Sequence, residues 1–490
     1  MAFDYTSHVL GQLPFAPTEG QRVAVGVFSG FMNDTADNVV MILRGSAGTG
    51  KTSVARGIVK AMIEMGQKVL LLAPTGRAAK VLSNGLDGVR TADGKQVQAF
   101  TIHRRIYRQK VMGPTGGFFQ LNDNLHRDTL FLVDEASMIS TIPAMGESMF
   151  GSNDLLTDLI HFVYNGHNCR LLLIGDGAQL PPVGEEEAPA LRSVTLQMMG
   201  MRTYEYDMNE VLRQSLQSGI LSNATMIRSL ITHDSITELP RLHFRGFADI
   251  SIVRGDELIE QLASSYSKVG IDETIVVTRS NKRAVVFNQG IRGQVLGREM
   301  ELSKGDLLMI VKNNYSITDD SKDTDAPAFL ANGDRCTVLK VSSVRELYGF
   351  HYADVWLRMP DYNDYEFQCV CMLDTLLSEA PSLTREQQEM LYNNIMDDYV
   401  DLSQKADRHR RLREDDYYNA LQVKYAYAVT CHKSQGGQWE HVYVDQGYMT
   451  DDMLTPSYIH WLYTAFTRAT SHLYLVNWPS TQVADEYKNE

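Results

Sequence analysis

Three things are in short supply along this 490-residue chain. Cysteine is scarce. The five residues, at 169, 336, 369, 371 and 431, are an odd number with no paired spacing suited to zinc or to a disulfide framework. Cys369 and Cys371 stand one residue apart in "FQCVCML", where strand alternation puts both on one face, the pattern of plain packing. No apolar run approaches the roughly 20 residues needed to cross a bilayer. The opening "MAFDYTSHVL" lacks the basic start and apolar block of a secretory signal, so the chain is expected to work inside the cell and away from membranes. Positive charge is in deficit: 46 Lys and Arg face 60 Asp and Glu, a net charge of -14. That argues against coating a polyanion through bulk charge, while leaving room for a narrow, locally basic channel.

What is present is a globular composition, 44% apolar and 22% charged, at a length that calls for two to four domains. From residue 39 the pattern alternates apolar strand, loop and helix. "VVMILR" precedes a glycine loop, and "SVARGIVKAMIEMG" follows with Val54, Ile58, Met62 and Ile63 at helical spacing. Then come "KVLLLAPT", "TLFLVDEAS" and "CRLLLIGD". Near-continuous Leu/Val/Ile runs suit strands covered on both faces, so a parallel sheet flanked by helices is expected over the first 215 residues. "TIVVTRS" (274–280), "KYAYAVTCHKSQG" (424–436), "WEHVYVDQ" (439–446) and "HLYLVN" (472–477) predict a second such unit from 216–300 plus 422–490, without a glycine-lysine loop of its own. Between its halves, "GDLLMIVKNNY" and "NGDRCTVLKVSS" read as strands bounded by Asn-Gly and Gly-Asp turns, a small β domain inserted at 301–421. Its charged stretch "REQQEMLYNNIMDDYVDLSQKADRHRRLREDDYY" reads as helix with a solvated face. "YRQKVMGPTGGFFQLND" is a hairpin signal, placing an insertion at about 107–125 of the first unit.

The chemistry gathers at strand ends. "GSAGTGKTS" (Gly45, Ser46, Ala47, Gly48, Thr49, Gly50, Lys51, Thr52, Ser53) matches G-x-x-x-x-G-K-[ST] between a strand and a helix. Its glycines let backbone N–H groups turn toward phosphates, Lys51 neutralises β/γ charge, and the Thr52 hydroxyl can hold magnesium. In "LFLVDEAS", Asp134 can share that magnesium and Glu135 can accept a proton from attacking water. Alone, the two acids could equally cap a helix. "LLLIGDGAQLPPVG" adds Asp176 and Gln179, the glutamine suited to bond a γ-phosphate or its attacking water. ATP with Mg2+ is the expected ligand pair.

These segments, together with "APTGRAAK", "TIH", "NEVLRQS", "VTCHKSQGGQWEHVYVD" and "YTAFTRA" in that order, resemble the superfamily 1 DNA helicases, most closely the RecD-like and Dda-like group, over about residues 18 to 477. The resemblance implies an α/β fold of two RecA-like domains, with ATP between them and single-stranded DNA across the top, a β-hairpin insertion in the first and a small β-barrel-like insertion in the second. It implies that Arg213 and Arg468 reach the γ-phosphate from the second domain, and that Gln21 in "PTEGQ" reads the adenine edge. DNA contacts carry over to Pro74, Thr75, Thr101, His103, Thr430, His432, Lys433 and Ser434; Arg77 is a candidate backbone contact that the resemblance does not assign. A hairpin at this position in the group splits the duplex at a fork, which makes Phe118 and Phe119 candidates for an aromatic wedge; packing of one or both on the first domain is the equal alternative. The expected activity is ATP-dependent, 5′-to-3′ movement on single-stranded DNA with unwinding at a fork. Two rivals share the ATP residues: a translocase that strips protein from DNA without unwinding, and an ATP-gated DNA-binding module that does not hydrolyse. No second catalytic cluster, such as a nuclease, is read from the chain.

Overall fold

A computed structural model describes residues 3–91, 94–113, 116–142, 149–210, 217–231, 238–314, 316 and 329–484. The first unit is built on β1 (Val39–Gly45), β2 (Lys68–Ala73) and β3 (Ala99–Thr101). A hairpin, β4 (Tyr107–Gly113) and β5 (Gly116–Leu121), interrupts the sheet. It resumes with β6 (Thr129–Val133), sets the short β7 (Met149–Phe150) alongside β5, and ends with β8 (Arg170–Gly175) and β9 (Arg202–Met208). The sheet order is β3-β2-β6-β8-β1-β9, every neighbouring pair parallel. β1 shows why its sequence is unbrokenly apolar: Val39, Met41 and Leu43 enter one core, Val40 and Ile42 the core on the opposite face.

The second unit carries β10 (Ile250–Val253) and β11 (Thr274–Thr278). The chain then leaves for a closed barrel of β12 (Leu307–Ile310), β13 (Arg335–Leu347), β14 (Phe350–Met359), β15 (Tyr365–Met372) and β16 (Leu421–Tyr425). It returns as β17 (Ala428–Thr430), β18 (Trp439–Asp445) and β19 (Ala469–Val476). Its parallel sheet has the order β10-β19-β18-β11-β17. Two α/β units with an inserted hairpin and an inserted barrel are the architecture expected from the sequence. Several details differ. Residues 421–425 close the barrel, so the return to the second sheet comes at Ala426 rather than at 422, and the opening of "KYAYAVTCHKSQG" belongs to the barrel. β9 and β10 were not expected. Both are edge strands, and β9 in particular, "RTYEYDM", is covered unevenly and lacks the apolar run that marks the central strands.

Helix Gly219–Ile231 buries Ile220, Ala224 and Ile227 in the core of the second unit. The charged region of the insertion forms helices Arg385–Asp398 and Lys405–Glu414, which set Leu391, Ile395 and Leu412 against Phe350, Tyr352 and Met372 of the barrel. The five cysteines are unbridged; Cys369 and Cys371 stand side by side with sulfurs 4.0 Å apart. Among the described residues no helix is long and apolar enough to cross a membrane.

Candidate functional site

In the order β6-β8-β1, three neighbouring parallel strands end side by side, delivering Asp134, Asp176 and the phosphate loop to one edge. The loop turns at Gly48 (φ +78°) and Gly50 (φ +83°), left-handed positions that glycine adopts without strain, and Gly50 caps helix Lys51–Glu64. At Gly45 a Cβ would stand 2.8 Å from Thr49 Oγ1 and 3.0 Å from Lys51 Cγ, so only glycine lets the strand close into this turn. Lys51 Nζ lies over the loop mouth, donating to the carbonyls of Gly45 (2.5 Å) and Ser46 (2.9 Å), with Asp176 Oδ2 at 3.8 Å. A cradle of turned N–H groups closed by a cation fits a polyphosphate.

Asp134 accepts from the Glu135 backbone N–H at 2.9 Å. Burial, reinforced by the adjacent Glu135 charge and opposed by Lys51 and Arg56, pushes its carboxyl up to about 6. Glu135 itself has φ +54°, a left-handed conformation that costs a non-glycine residue on the order of 1–3 kcal/mol. A threonine hydroxyl (Thr52) and a carboxylate (Asp134) are hard oxygen donors suited to Mg2+. Buried Gln179 keeps its Oε1 without a partner among the described residues, an acceptor available to a donor such as attacking water.

The second unit grips this edge. On helix Pro456–Phe466, Tyr463 Oη donates to Asp176 Oδ2 (2.7 Å) and accepts from the Ala47 N–H of the phosphate loop (2.9 Å). Burial beside the Asp176 carboxylate raises the Tyr463 phenol far above its usual range, which keeps it a donor. The segment after Asp176 is held equally closely: Leu180 N–H donates to Thr464 Oγ1 (2.7 Å), and Gln435 Nε2 to the Leu180 carbonyl (2.5 Å). His460 Nδ1 lies 2.9 Å from the Ala178 carbonyl. From helix Gly219–Ile231, Arg228 reaches Ser46 Oγ at 3.1 Å. Sequence reasoning singles out neither residue: Tyr463 opens the quoted "YTAFTRA" but only Arg468 is picked from it, and Arg228 has no spacing that marks it; the seam gives both their neighbours.

Other expectations meet different surroundings. Arg468 is buried and spends its guanidinium inside the second unit, on the carbonyls of Thr464 (3.0 Å) and Gly437 (3.0 Å) and on Thr467 Oγ1 (3.1 Å). It does not reach the phosphate loop in this structure, because the turn after the helix folds it back on its own carbonyls. Arg213 lies outside the described residues. Gln21 is fully buried with both ends of its amide engaged: Oε1 accepts from Thr18 N–H in a capping box, and Nε2 donates to the Thr49 carbonyl. It therefore braces the phosphate loop, and the helix cap explains why its amide is not left open to a base edge.

The expected DNA residues divide. Pro74, Thr75, Thr101 and His103 line one cleft with Asn332, Asp334 and Tyr362 of the insertion. Lys433 joins it from the second unit, bonding Asn332 Oδ1. Thr75 and Thr101 cap helices through their hydroxyls, accepting from Ala78 and Arg104 N–H. Burial lowers His103 to about 4, so its imidazole is neutral near pH 7, and lowers Lys433 to about 8. Asp334 is pushed up to about 7 by burial, although Ala331 N–H and the Tyr362 hydroxyl donate to it. Tyr362 so overhangs the first unit that a Cβ on Gly76 would meet its ring at 2.8 Å, and Lys80 Nζ donates to Pro360 carbonyl at 2.5 Å. Thr430 begins helix Cys431–Ser434 and His432 is exposed beside it. Ser434 departs from expectation: it is buried and donates to the Cys431 carbonyl (2.8 Å), as a helix turn favours. Arg77 also turns elsewhere, stacking 4.4 Å over Trp439 and donating to the Gln438 carbonyl at 2.5 Å.

The hairpin stands where the sequence puts it. Phe119 is buried with Ile106, Tyr107 and Phe329, its ring 5.9 Å from Phe329, so the packing alternative describes it and not a projecting wedge. The side chain of Phe118 lies outside the described residues.

A glycine-lysine loop with an Asp-Glu strand end beside it, and a second α/β unit bonded to that loop and to Asp176, make up the architecture of a two-domain protein of the P-loop nucleotide-binding class. Residues 20–241 match the AAA domain family and residues 425–476 the UvrD-like helicase C-terminal domain family. The chain is 24% identical to the ATP-dependent DNA helicase dda of Enterobacteria phage T4 over 306 residues, covering 60% of each protein. It is 33% identical over 152 residues to the ATP-dependent RecD2 DNA helicase of Deinococcus radiodurans, covering 31% of this chain and 17% of that one. The matched segments thus span less than two thirds of these relatives' own lengths. A crystal structure of Pif1 helicase from Bacteroides in complex with ADP-AlF3 and ssDNA is 15% identical with a TM-score of 0.47, covering 96% of this chain and 95% of that one. By these matches the chain is similar to the superfamily 1 helicases, its likeness running to dda and to RecD2.

Proposed function

We propose that this chain hydrolyses ATP to move 5′ to 3′ along single-stranded DNA and to unwind duplex ahead of it. One observation carries the coupling: the loop from Asp176 to Leu180, which flanks the phosphate site, is bonded to Tyr463, Thr464 and Gln435 of the second unit. Gln435 follows directly on Thr430–Ser434, the segment that sends Lys433 to the DNA cleft. A change of charge at the phosphate loop therefore has a short route of hydrogen bonds to residues facing the strand.

In this reading the turned N–H groups of the loop and Lys51 bind the phosphates, and Glu135 takes the proton of the attacking water. Gln179 orients that water through its open acceptor. Thr52 and Asp134 would hold Mg2+, which supplies charge neutralisation on the phosphates. Thr75, Thr101, Thr430, His432 and Lys433 offer hydroxyl, imidazole and ammonium groups to backbone and sugar, a set without base-edge readout. Polarity rests on the likeness to the RecD-like and Dda-like group.

The test is strand displacement from duplexes bearing only a 5′ or only a 3′ overhang. Displacement confined to the 5′ overhang is expected; displacement confined to the 3′ overhang refutes the polarity. Burial of Phe119 removes one of the two wedge candidates and so favours, as the second reading, a translocase that displaces bound protein without unwinding. Unwinding of protein-free duplex excludes it. Absence of phosphate release stimulated by single-stranded DNA would instead revive the non-hydrolysing module.

A further inference from the structure

Arg228 is a half-buried cation on a helix whose apolar face is sunk in the second unit, yet its guanidinium touches the phosphate loop of the first. Nη1 donates to Ser46 Oγ at 3.1 Å and Nη2 to Asn209 Oδ1 at 2.6 Å. Both acceptors are uncharged, and no carboxylate pairs with it among the described residues. A partly desolvated guanidinium held only by a hydroxyl and an amide oxygen has charge to spare for an anion, and its five N–H donors exceed its two partners. Beside it, Tyr463 feels the positive charge of Arg228, and Tyr463 in turn is bonded to the Ala47 N–H. Arg228 thus stands at the mouth of the cradle that Gly45, Gly48, Gly50 and Lys51 form for polyphosphate, brought there by the unit that must close on it.

We infer that Arg228 is a nucleotide-binding arginine supplied across the seam, contacting the terminal phosphate of a bound nucleoside triphosphate and discriminating it from the diphosphate. This inference rests on the proposed ATP site and adds to it a group that no motif spacing singled out. Exchanging Ser46 Oγ for a phosphate oxygen replaces a neutral acceptor by a charged one, so the contact strengthens only when the anion extends far enough to meet it. Arg228 would then draw helix Gly219–Ile231, and the second-unit core attached to it, toward the phosphate loop in the triphosphate state alone.

The experiment is equilibrium fluorescence titration of the full chain with mant-ADP and with mant-ATPγS, on wild type, Arg228→Ala and Arg228→Lys, with thermal melts to verify folding. For Arg228→Ala a loss of about tenfold or more in mant-ATPγS affinity is expected, with mant-ADP changed by less than about threefold. Arg228→Lys should recover part of the difference, since it keeps charge without the planar fork. Equal loss for both nucleotides would mean that Arg228 only props the loop through Ser46, and overturns the inference; so does unchanged affinity for both. If wild type itself binds neither nucleotide, the ATP-site reading falls and the inference with it, whereas failure confined to the variants leaves that reading standing.

Discussion

Tyr463 Oη lies 2.7 Å from Asp176 Oδ2, a contact between residues 287 positions apart that joins the two halves of the molecule at the nucleotide edge. Tyr463→Phe removes the hydroxyl while keeping the ring, leaving the Ala47 N–H and one Asp176 oxygen short of a partner. We expect DNA-stimulated ATP turnover to fall by roughly tenfold and stability by about 1–3 kcal/mol, the cost of an unmade buried hydrogen bond. Turnover at varied DNA concentration and a urea melt measure the two effects. Unchanged turnover would dismiss the coupling role.

Glu135 occupies a strained left-handed position next to Asp134, so the amide variant should keep its place and lose its basicity. Glu135→Gln is expected to slow phosphate release by about 10²–10⁴-fold while leaving nucleotide affinity within a few fold. Single-turnover hydrolysis beside a binding titration checks this. Comparable rates in both proteins would move the base to another residue.

The cleft proposed to hold DNA carries two groups that titrate near neutrality. Asp334 is uncharged below about 7 and Lys433 charged below about 8. Asp361 adds negative charge beside Asp334. The cleft is therefore most positive at low pH, and binding a polyanion favours proton uptake. Affinity for oligo(dT) should weaken as pH rises from 6 to 9, on the order of tenfold per pH unit per proton linked at most. Asp334→Asn should flatten the lower part of that profile, leaving the Lys433 component near pH 8. Fluorescence anisotropy at fixed ionic strength reads the profile, and affinity rising with pH would contradict the assignment.

Phe119 belongs to the core of the first unit, against Phe329 and Tyr107. Phe119→Ala is expected to cost about 3–5 kcal/mol in stability, as for other buried phenylalanines. Phe119→Leu should restore most of the stability and the unwinding rate together. A Leu variant that melts like wild type yet no longer separates strands would show that the ring acts at the fork after all.

Much of this protein follows from local rules. Unbroken apolar runs at 39–43, 130–133 and 171–174 identify central parallel strands, since only a strand buried on both faces needs no polar side. The glycines between Gly45 and Gly50 announce the phosphate loop because no other residue turns that tightly against Lys51. Asp134, Glu135 and Gln179 are picked out by their places after strand ends, and Thr52 by its place in the first turn of the helix that follows the loop. Distance along the chain hides the rest. Which side chains meet across the seam was decided by tertiary packing: Tyr463 and Arg228 reach the loop, Arg468 folds back on Thr464 and Gly437, and Gln21 is consumed by a helix cap. The physical reason is that backbone conformation is set by neighbours a few residues away. A hydrogen bond or ion pair depends on where two separately folded cores come to rest against each other, and no periodicity in either segment encodes that.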